Sequence, residues 1–307
     1  MTGLPIRLAV VAPASNADPE KVLRGVERLR ALGHTVTLMP HALTQAWPYF
    51  AAAPEQRLAD LHAAFADAEI DAVICIRGGY GSNYLLEGLD LELLRRNPKP
   101  FIGYSDHTAI ATWMLDKAGV PVLHGPMVAA DFSRGDGVDL LSFAAALGGD
   151  AYRLGSESGL RALQPGNARG VLYGGCMSLL TALLGTRFAA QTEGKLLFLE
   201  DLGEKPYQID RMLRHMKMAG KFEGVTGIVF GEMLECASPG APADLLERVI
   251  LTVLDWFSGP IAYGLRSGHV SRSNVTLPFG VQAELVASVE IAELRIEPRA
   301  RTGQEEQ

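Results

Sequence analysis

The chain has 307 residues, and none of its apolar runs approaches the ~20 residues a membrane-spanning helix requires. No membrane association is expected. Cysteine is scarce. Cys75, Cys176 and Cys236 lie far apart and form no CxxC, and an odd number makes no disulfide framework. They read as buried small hydrophobes in a reducing compartment. Positive charge is not in excess: 28 Lys and Arg face 35 Asp and Glu, a net charge of −7. An acidic chain is a poor binder of phosphate backbones, so no nucleic-acid partner is expected. No Gly-Lys-Ser/Thr follows a glycine-rich turn, and a dinucleotide fingerprint is missing. No His/Cys/Asp cluster has metal-ligand spacing, so neither a metal nor another cofactor is expected. There is no internal repeat and no low-complexity tract.

What is present is ordinary globular composition, 48% hydrophobic and 21% charged. Its length suits about two domains. Glycine is enriched at 33 residues, about 11% against the usual ~7%, as tight turns and close backbone approaches in α/β enzymes require. The run Leu8-Ala9-Val10-Val11-Ala12-Pro13-Ala14 is short for a signal h-region, only Arg7 precedes it, and helix-opening residues follow. Residues 6–12 therefore read as a first buried strand, and the protein is expected to be cytoplasmic.

The first half alternates strand and helix. Asp18 and Pro19 open a helix with Val22, Val26 and Leu29 on one face, stopped by Gly33. Residues 35–38 are a short strand, and Pro54 opens a helix with Leu58, Leu61 and Phe65 on one face. Residues 72–76 and 100–103 are buried strands, and a helix runs through Ile110, Trp113 and Met114. The rhythm implies a parallel sheet. Residues 1–149 form the expected N-terminal domain, the polar, Gly-rich stretch 150–169 a linker, and 170–307 a mixed α/β domain with several short strands. In the second half, strands are expected at 196–199, 227–231, 274–277, 284–287 and 288–296, the last with Val289 and Ile291 apolar. Helices are expected around Ile209–Met216 and at 243–257. The tail 299–307 is expected to fray.

In open α/β sheets ligands bind at the carboxyl ends of strands, and two ends here are unusual. One is Gly78-Gly79-Tyr80-Gly81, whose glycines either bring N–H groups close to a ligand or simply turn the chain. The other is Gly103-Tyr104-Ser105-Asp106-His107-Thr108. A serine on a sharp strand-to-helix turn resembles a nucleophile elbow, with the next N–H placed to stabilise an oxyanion. Equally, Ser105 or Asp106 could serve as a helix N-cap. A serine nucleophile needs a base and the base an orienting carboxylate. His34, His41, His62 and His215 read as surface residues. His107 is too close along the helix to swing back to Ser105. His124, before Gly125-Pro126, and His269, in the loop Gly268-His269-Val270-Ser271, both stay open as the base. Glu200 and Asp201 both end the apolar strand at 196–199, and their spacing does not choose between them. Arg77, Arg211 and Arg272 are cations able to meet a substrate carboxylate, or ordinary salt-bridge partners.

Six motifs then resemble, in register, the LD-carboxypeptidase family of muramoyltetrapeptide-cleaving serine peptidases. They are Arg77-Gly78-Gly79-Tyr80-Gly81, Gly103-Tyr104-Ser105-Asp106-His107-Thr108, Gly125-Pro126-Met127, Gly174-Gly175-Cys176-Met177-Ser178-Leu179-Leu180, Leu199-Glu200-Asp201 with Arg211-Met212-Leu213, and Gly268-His269 with Thr276-Leu277-Pro278-Phe279-Gly280. The resemblance implies Ser105 as nucleophile, His269 as base and Glu200 as its orienter. The backbone N–H groups of Gly79 and Asp106 are the candidates for the oxyanion hole. The resemblance also implies a murein peptide substrate, an interdomain cleft and a homodimer. Cys176 stands where relatives have Asn, a change in the pocket wall.

Three rival readings remain. A branch of the same family hydrolyses acyl-adenylate antibiotics and needs a nucleobase-stacking aromatic, whereas Trp47, Trp113 and Trp256 sit in or beside expected helices. A non-catalytic two-domain binding protein is the second. An unrelated α/β-hydrolase is the third, weakened by His107 where its elbow wants glycine.

Overall fold

The computed structural model describes residues 5–45, 49–237 and 240–299. The N-terminal half runs β1 (Arg7–Val11), α1 (Pro19–Ala31), β2 (Thr35–Leu38), α2 (Pro54–Ala66), β3 (Ala72–Cys75), α3 (Leu91–Arg96), β4 (Phe101–Ile102), α4 (Thr108–Trp113), β5 (Val122–His124) and α5 (Leu140–Gly148). The rest runs β6 (Tyr152–Leu154), β7 (Arg161–Gln164), β8 (Gly166–Cys176), α6 (Met177–Ala182), β9 (Lys195–Glu200), α7 (Pro206–Met218), β10 (Gly227–Gly231), α8 (Leu245–Val253), β11 (Ile261–Leu265), β12 (Leu277–Phe279), β13 (Gln282–Ala287) and β14 (Ala292–Ile296).

Two sheets result. The first has the order β12-β5-β4-β3-β1-β2. Strands β1 to β5 are parallel, and β12 closes the edge antiparallel to β5. The order reverses between β3 and β1, a topological switch that opens a crevice at the carboxyl ends of the strands. The second sheet has the order β6-β14-β13-β8-β9-β10-β11-β7. Strands β8 to β11 form its parallel centre, and antiparallel strands flank it.

The apolar runs explain why these strands are covered on both faces. Successive side chains of a strand point to opposite sides. In β1, Leu8 and Val10 pack with Val22, Val26 and Leu29 of α1, while Ala9 and Val11 face the other core with Phe65 of α2. In β9, Leu196 and Phe198 join that same core, which thus lies between the two sheets. Leu197 and Leu199 pack on Ile209 and Leu213 of α7 and Ile250 of α8. Helix α1 begins as its sequence requires: Asp18 accepts the Glu20 N–H at 2.9 Å, and Pro19 occupies the first turn.

Several expectations are corrected. The stretch 150–169 is not featureless, since it carries β6, β7 and the start of β8, all bonded into the second sheet. Helix α8 is shorter than 243–257. The strand expected at 274–277 lies at 277–279 instead, because Asn274 is engaged with the Gly268 backbone. The strand expected from 288 begins at Ala292. Ser288 accepts a turn bond from the Ile291 N–H, and Val289 is 98% exposed, so its apolar side chain is no core position. Helix α4 passes into a wider turn at Met114–Ala118. Trp47 and the tail beyond Arg299 lie outside the described residues.

Candidate active site

The end of β4 places the serine. Strand β4 stops at Ile102, and the chain turns through Gly103 and Tyr104 into a single 3-10 turn, Ser105–His107, that leads into α4. Ser105 has φ 64°, a left-handed conformation that costs a non-glycine residue roughly 1–2 kcal/mol. Neither Ser105 nor Asp106 caps the helix with its side chain, which removes the capping reading. Asp106 instead accepts the Ser82 N–H at 2.7 Å on its carboxylate and the Ser82 hydroxyl at 2.6 Å on its carbonyl. His107 is buried, with Nε2 on the Arg77 carbonyl at 2.9 Å. The end of β3 packs against this turn. A Cβ on Gly78 would lie 2.8 Å from Ser105 Oγ, so only glycine admits the hydroxyl there.

The second sheet supplies an acid and a histidine. Glu200, the last residue of β9, is fully buried. Its Oε2 lies 2.8 Å from His269 Nδ1 and accepts the His269 backbone N–H at 3.1 Å. Burial alone would push the His269 imidazole down, but the Glu200 charge and hydrogen bond outweigh it and hold the ring above its ordinary value. Burial pushes Glu200 up in the same way, and His269 brings it below its ordinary value. The histidine loop is shaped by Gly268 at φ 88°, where a Cβ would meet the Glu200 carboxylate carbon at 2.6 Å. Asn274 braces the loop, accepting the Gly268 N–H and donating to the Gly268 carbonyl, both at 3.1 Å.

Ser105, His269, Gly78, Gly79 and Tyr104 line one cleft of about 770 Å³ between the two halves. The Tyr104 ring meets the His269 ring edge-on at 5.1 Å. Asp201 lines the cleft but turns away from His269, accepting the Ser178 N–H at 2.8 Å and the Leu202 N–H at 2.9 Å; burial pushes its pKa up to about 6. Cys176 faces the cleft too, with its thiol pushed well up by burial and the nearby carboxylates, so it stays protonated. His124 is buried against Phe198 and Phe279, with its pKa pushed down to about 4 by burial, and is not a lining residue. Of the three cations singled out, Arg77 lines the cleft, Arg211 stacks on Tyr207 elsewhere, and Arg272 is exposed.

Sequence reasoning missed Tyr104, Asp131 and Asn274. Asp131, buried after β5, accepts the Met127 N–H at 2.9 Å and hydrogen bonds from Tyr104 and Asn274, and burial pushes its pKa up to about 6. Nothing in the spacing of these three residues signals a network, because it forms across the two halves. Among the described residues, no group of three or more His, Cys, Asp or Glu side chains is placed to hold a metal ion, and no helix is long and apolar enough to cross a membrane.

A strained serine sharing a cleft with a carboxylate-held histidine, at the carboxyl ends of parallel strands, defines an α/β hydrolytic site. The chain belongs to the LD-carboxypeptidase family. Its residues 8–125 match the N-terminal domain of that family and residues 169–285 its C-terminal domain. It is 39% identical to a probable murein peptide carboxypeptidase of Bacillus subtilis, over 91% of this chain and 88% of that one. It is 31% identical to a murein tetrapeptide carboxypeptidase of Pseudomonas aeruginosa, over 91% and 92%. Among solved structures it resembles a muramoyltetrapeptide carboxypeptidase from Oxalobacter formigenes with TM-score 0.83, 26% identity and coverage of 96% and 100%. A microcin C7 self-immunity protein shares the fold with TM-score 0.87 at 21% identity, covering 97% of each chain.

Proposed function

We propose that this protein is a serine carboxypeptidase that releases terminal D-Ala from murein tetrapeptide. The observation carrying this reading is the buried Glu200–His269 pair at the wall of the cleft that holds Ser105. In this mechanism Ser105 Oγ attacks the carbonyl that joins an L-centre, diaminopimelate or lysine, to D-Ala. With Nδ1 engaged by Glu200, Nε2 of His269 is the ring nitrogen free to take the Ser105 proton. The N–H groups of Gly79 and Asp106 hold the oxyanion, each worth about 3 kcal/mol in the transition state. The C–N bond breaks as imidazolium returns the proton to the leaving amine. Water, deprotonated by the same imidazole, then cleaves the acyl-enzyme and frees Ser105. Glu200 keeps the tautomer and stabilises the imidazolium throughout.

The test is mass spectrometry of muropeptides before and after incubation. Loss of one alanine from tetrapeptide, pentapeptide remaining intact, is expected, and Ser105→Ala should abolish it. An undiminished rate in that variant would end the assignment. Hydrolysis of acyl adenylates is the second reading, prompted by the self-immunity fold match. Against it, neither described tryptophan, Trp113 or Trp256, lines the cleft; an aminoacyl adenylate analogue run in parallel separates the two. The homodimeric state implied by the family resemblance and the cytoplasmic location expected from the N-terminal sequence belong to the same proposal. Light scattering and cell fractionation test them.

A further inference from the structure

We infer that Arg134 is the residue that selects a free terminal carboxylate, which makes the cleft an exopeptidase site; this rests on the carboxypeptidase reading above. Arg134 follows β5, the strand beside β4, and its side chain lines the same cleft as Ser105 and His269. Its side chain is 40% exposed, yet Nε and Nη2 are buried and have no hydrogen-bond partner among the described residues. The nearest acid, Asp131, lies 3.9 Å from Nη2, beyond hydrogen-bond reach. The Asp131 carboxyl is already committed to the Met127 N–H, Tyr104 and Asn274. Unpaired guanidinium N–H groups withdrawn from water are costly, and an anion set against the exposed part of the same guanidinium would offset the cost of holding its charge there.

The two other arginines of the cleft differ. Arg77 donates Nη1 to the Asn16 carbonyl at 3.1 Å, and Arg24 pairs with Glu20 one helical turn away at 3.8 Å. Arg134 also sits at the reacting end of the cleft. Its charge reaches Tyr104, the residue before Ser105, and the Tyr104 ring touches that of His269. A planar two-pronged donor matches a carboxylate in geometry as well as charge. The carboxylate concerned is that of the leaving D-amino acid. A peptide with one more residue places an amide there and leaves the guanidinium unanswered.

The experiment compares kcat/KM for tetrapeptide and for the same tetrapeptide amidated at its C-terminus. The unsubstituted protein should favour the acid about 100-fold, the scale of a charge-assisted pair. In Arg134→Gln that ratio should collapse to within about five-fold of unity. Arg134→Lys, which keeps the charge and the packing of the stem, should give an intermediate ratio; it provides the comparison if the glutamine variant does not fold. An unchanged ratio in both variants overturns the assignment. So does an equal fall for both peptides at an unaltered melting temperature, and so does collapse of the ratio in Arg77→Gln instead. Wild-type protein that cleaves neither peptide overturns the reading of the site itself, and this assignment with it.

Discussion

Glu200 Oε2 holds His269 twice, through Nδ1 at 2.8 Å and through the backbone N–H at 3.1 Å. One carboxylate oxygen thus sets both the ring and the loop that carries it. The other oxygen, Oε1, is buried with no hydrogen-bond partner among the described residues. That orphan leaves the charge of Glu200 dependent on His269.

Glu200→Gln should therefore lower kcat by on the order of 10³–10⁴-fold, since the amide neither enforces the tautomer nor stabilises the imidazolium. The acid limb of the kcat/KM profile reports deprotonation of His269. Removing the charge that raises its pKa should shift that limb to lower pH. A limb that stays in place would separate the titration from this pair.

The same pair governs stability. The lowered pKa of Glu200 contributes stability above its ordinary 4.5 that is lost as pH falls through the folded value. The raised pKa of His269 contributes stability that is full below its ordinary 6.5 and lost as pH rises through the folded value. Their joint contribution is greatest between those ordinary values. Urea titrations of wild type and His269→Ala should differ most there.

Asp131 acts in the opposite sense. A carboxyl raised by burial to about 6 stabilises the fold at low pH, and this contribution fades as pH rises from its ordinary 3.8 through 6. Asp131→Asn should remove that dependence. The stability difference between variant and wild type should shift by on the order of 1–3 kcal/mol between pH 4 and pH 7, in favour of the variant at the higher pH.

Two glycines separate catalytic from structural damage. Gly268→Ala forces a Cβ into the Glu200 carboxylate at a positive φ and should destabilise the fold by about 2–4 kcal/mol. Gly78→Ala meets only the Ser105 side chain at the 2.8 Å approach and should lower kcat/KM at least about 100-fold with a smaller loss of melting temperature.

The turn strain at Ser105 is testable without activity. Ser105→Gly relieves the φ 64° conformation and Ser105→Ala does not. The glycine variant should be the more stable of the two by about 1 kcal/mol in chemical denaturation. Equal stability would mean that the left-handed turn carries no strain.

Much of the first sheet was legible because its strands are short apolar runs bounded by Asp-Pro, Pro and Gly, whose backbone preferences are local. Asp18 and Pro19 begin α1 wherever they stand. The stretch 150–169 was misread because β6 and β7 are half-exposed edge strands whose partners, β14 and β11, lie about a hundred residues or more away in the chain. Val289 looked like a core residue only while its turn was unknown.

The amino-acid order alone determined which residues have the chemistry to act: a serine at a strand-to-helix turn, an imidazole after a glycine, and two adjacent carboxylates at the end of an apolar strand. Tertiary structure decided between those carboxylates. Neighbouring side chains at a strand end project to opposite sides, so only one of them can meet the Gly268 loop. The register that pairs Glu200 with Cys176 turns Glu200 toward that loop and Asp201 toward the start of α6. Such a register is set by contacts between strands distant in the chain, and no local pattern encodes it.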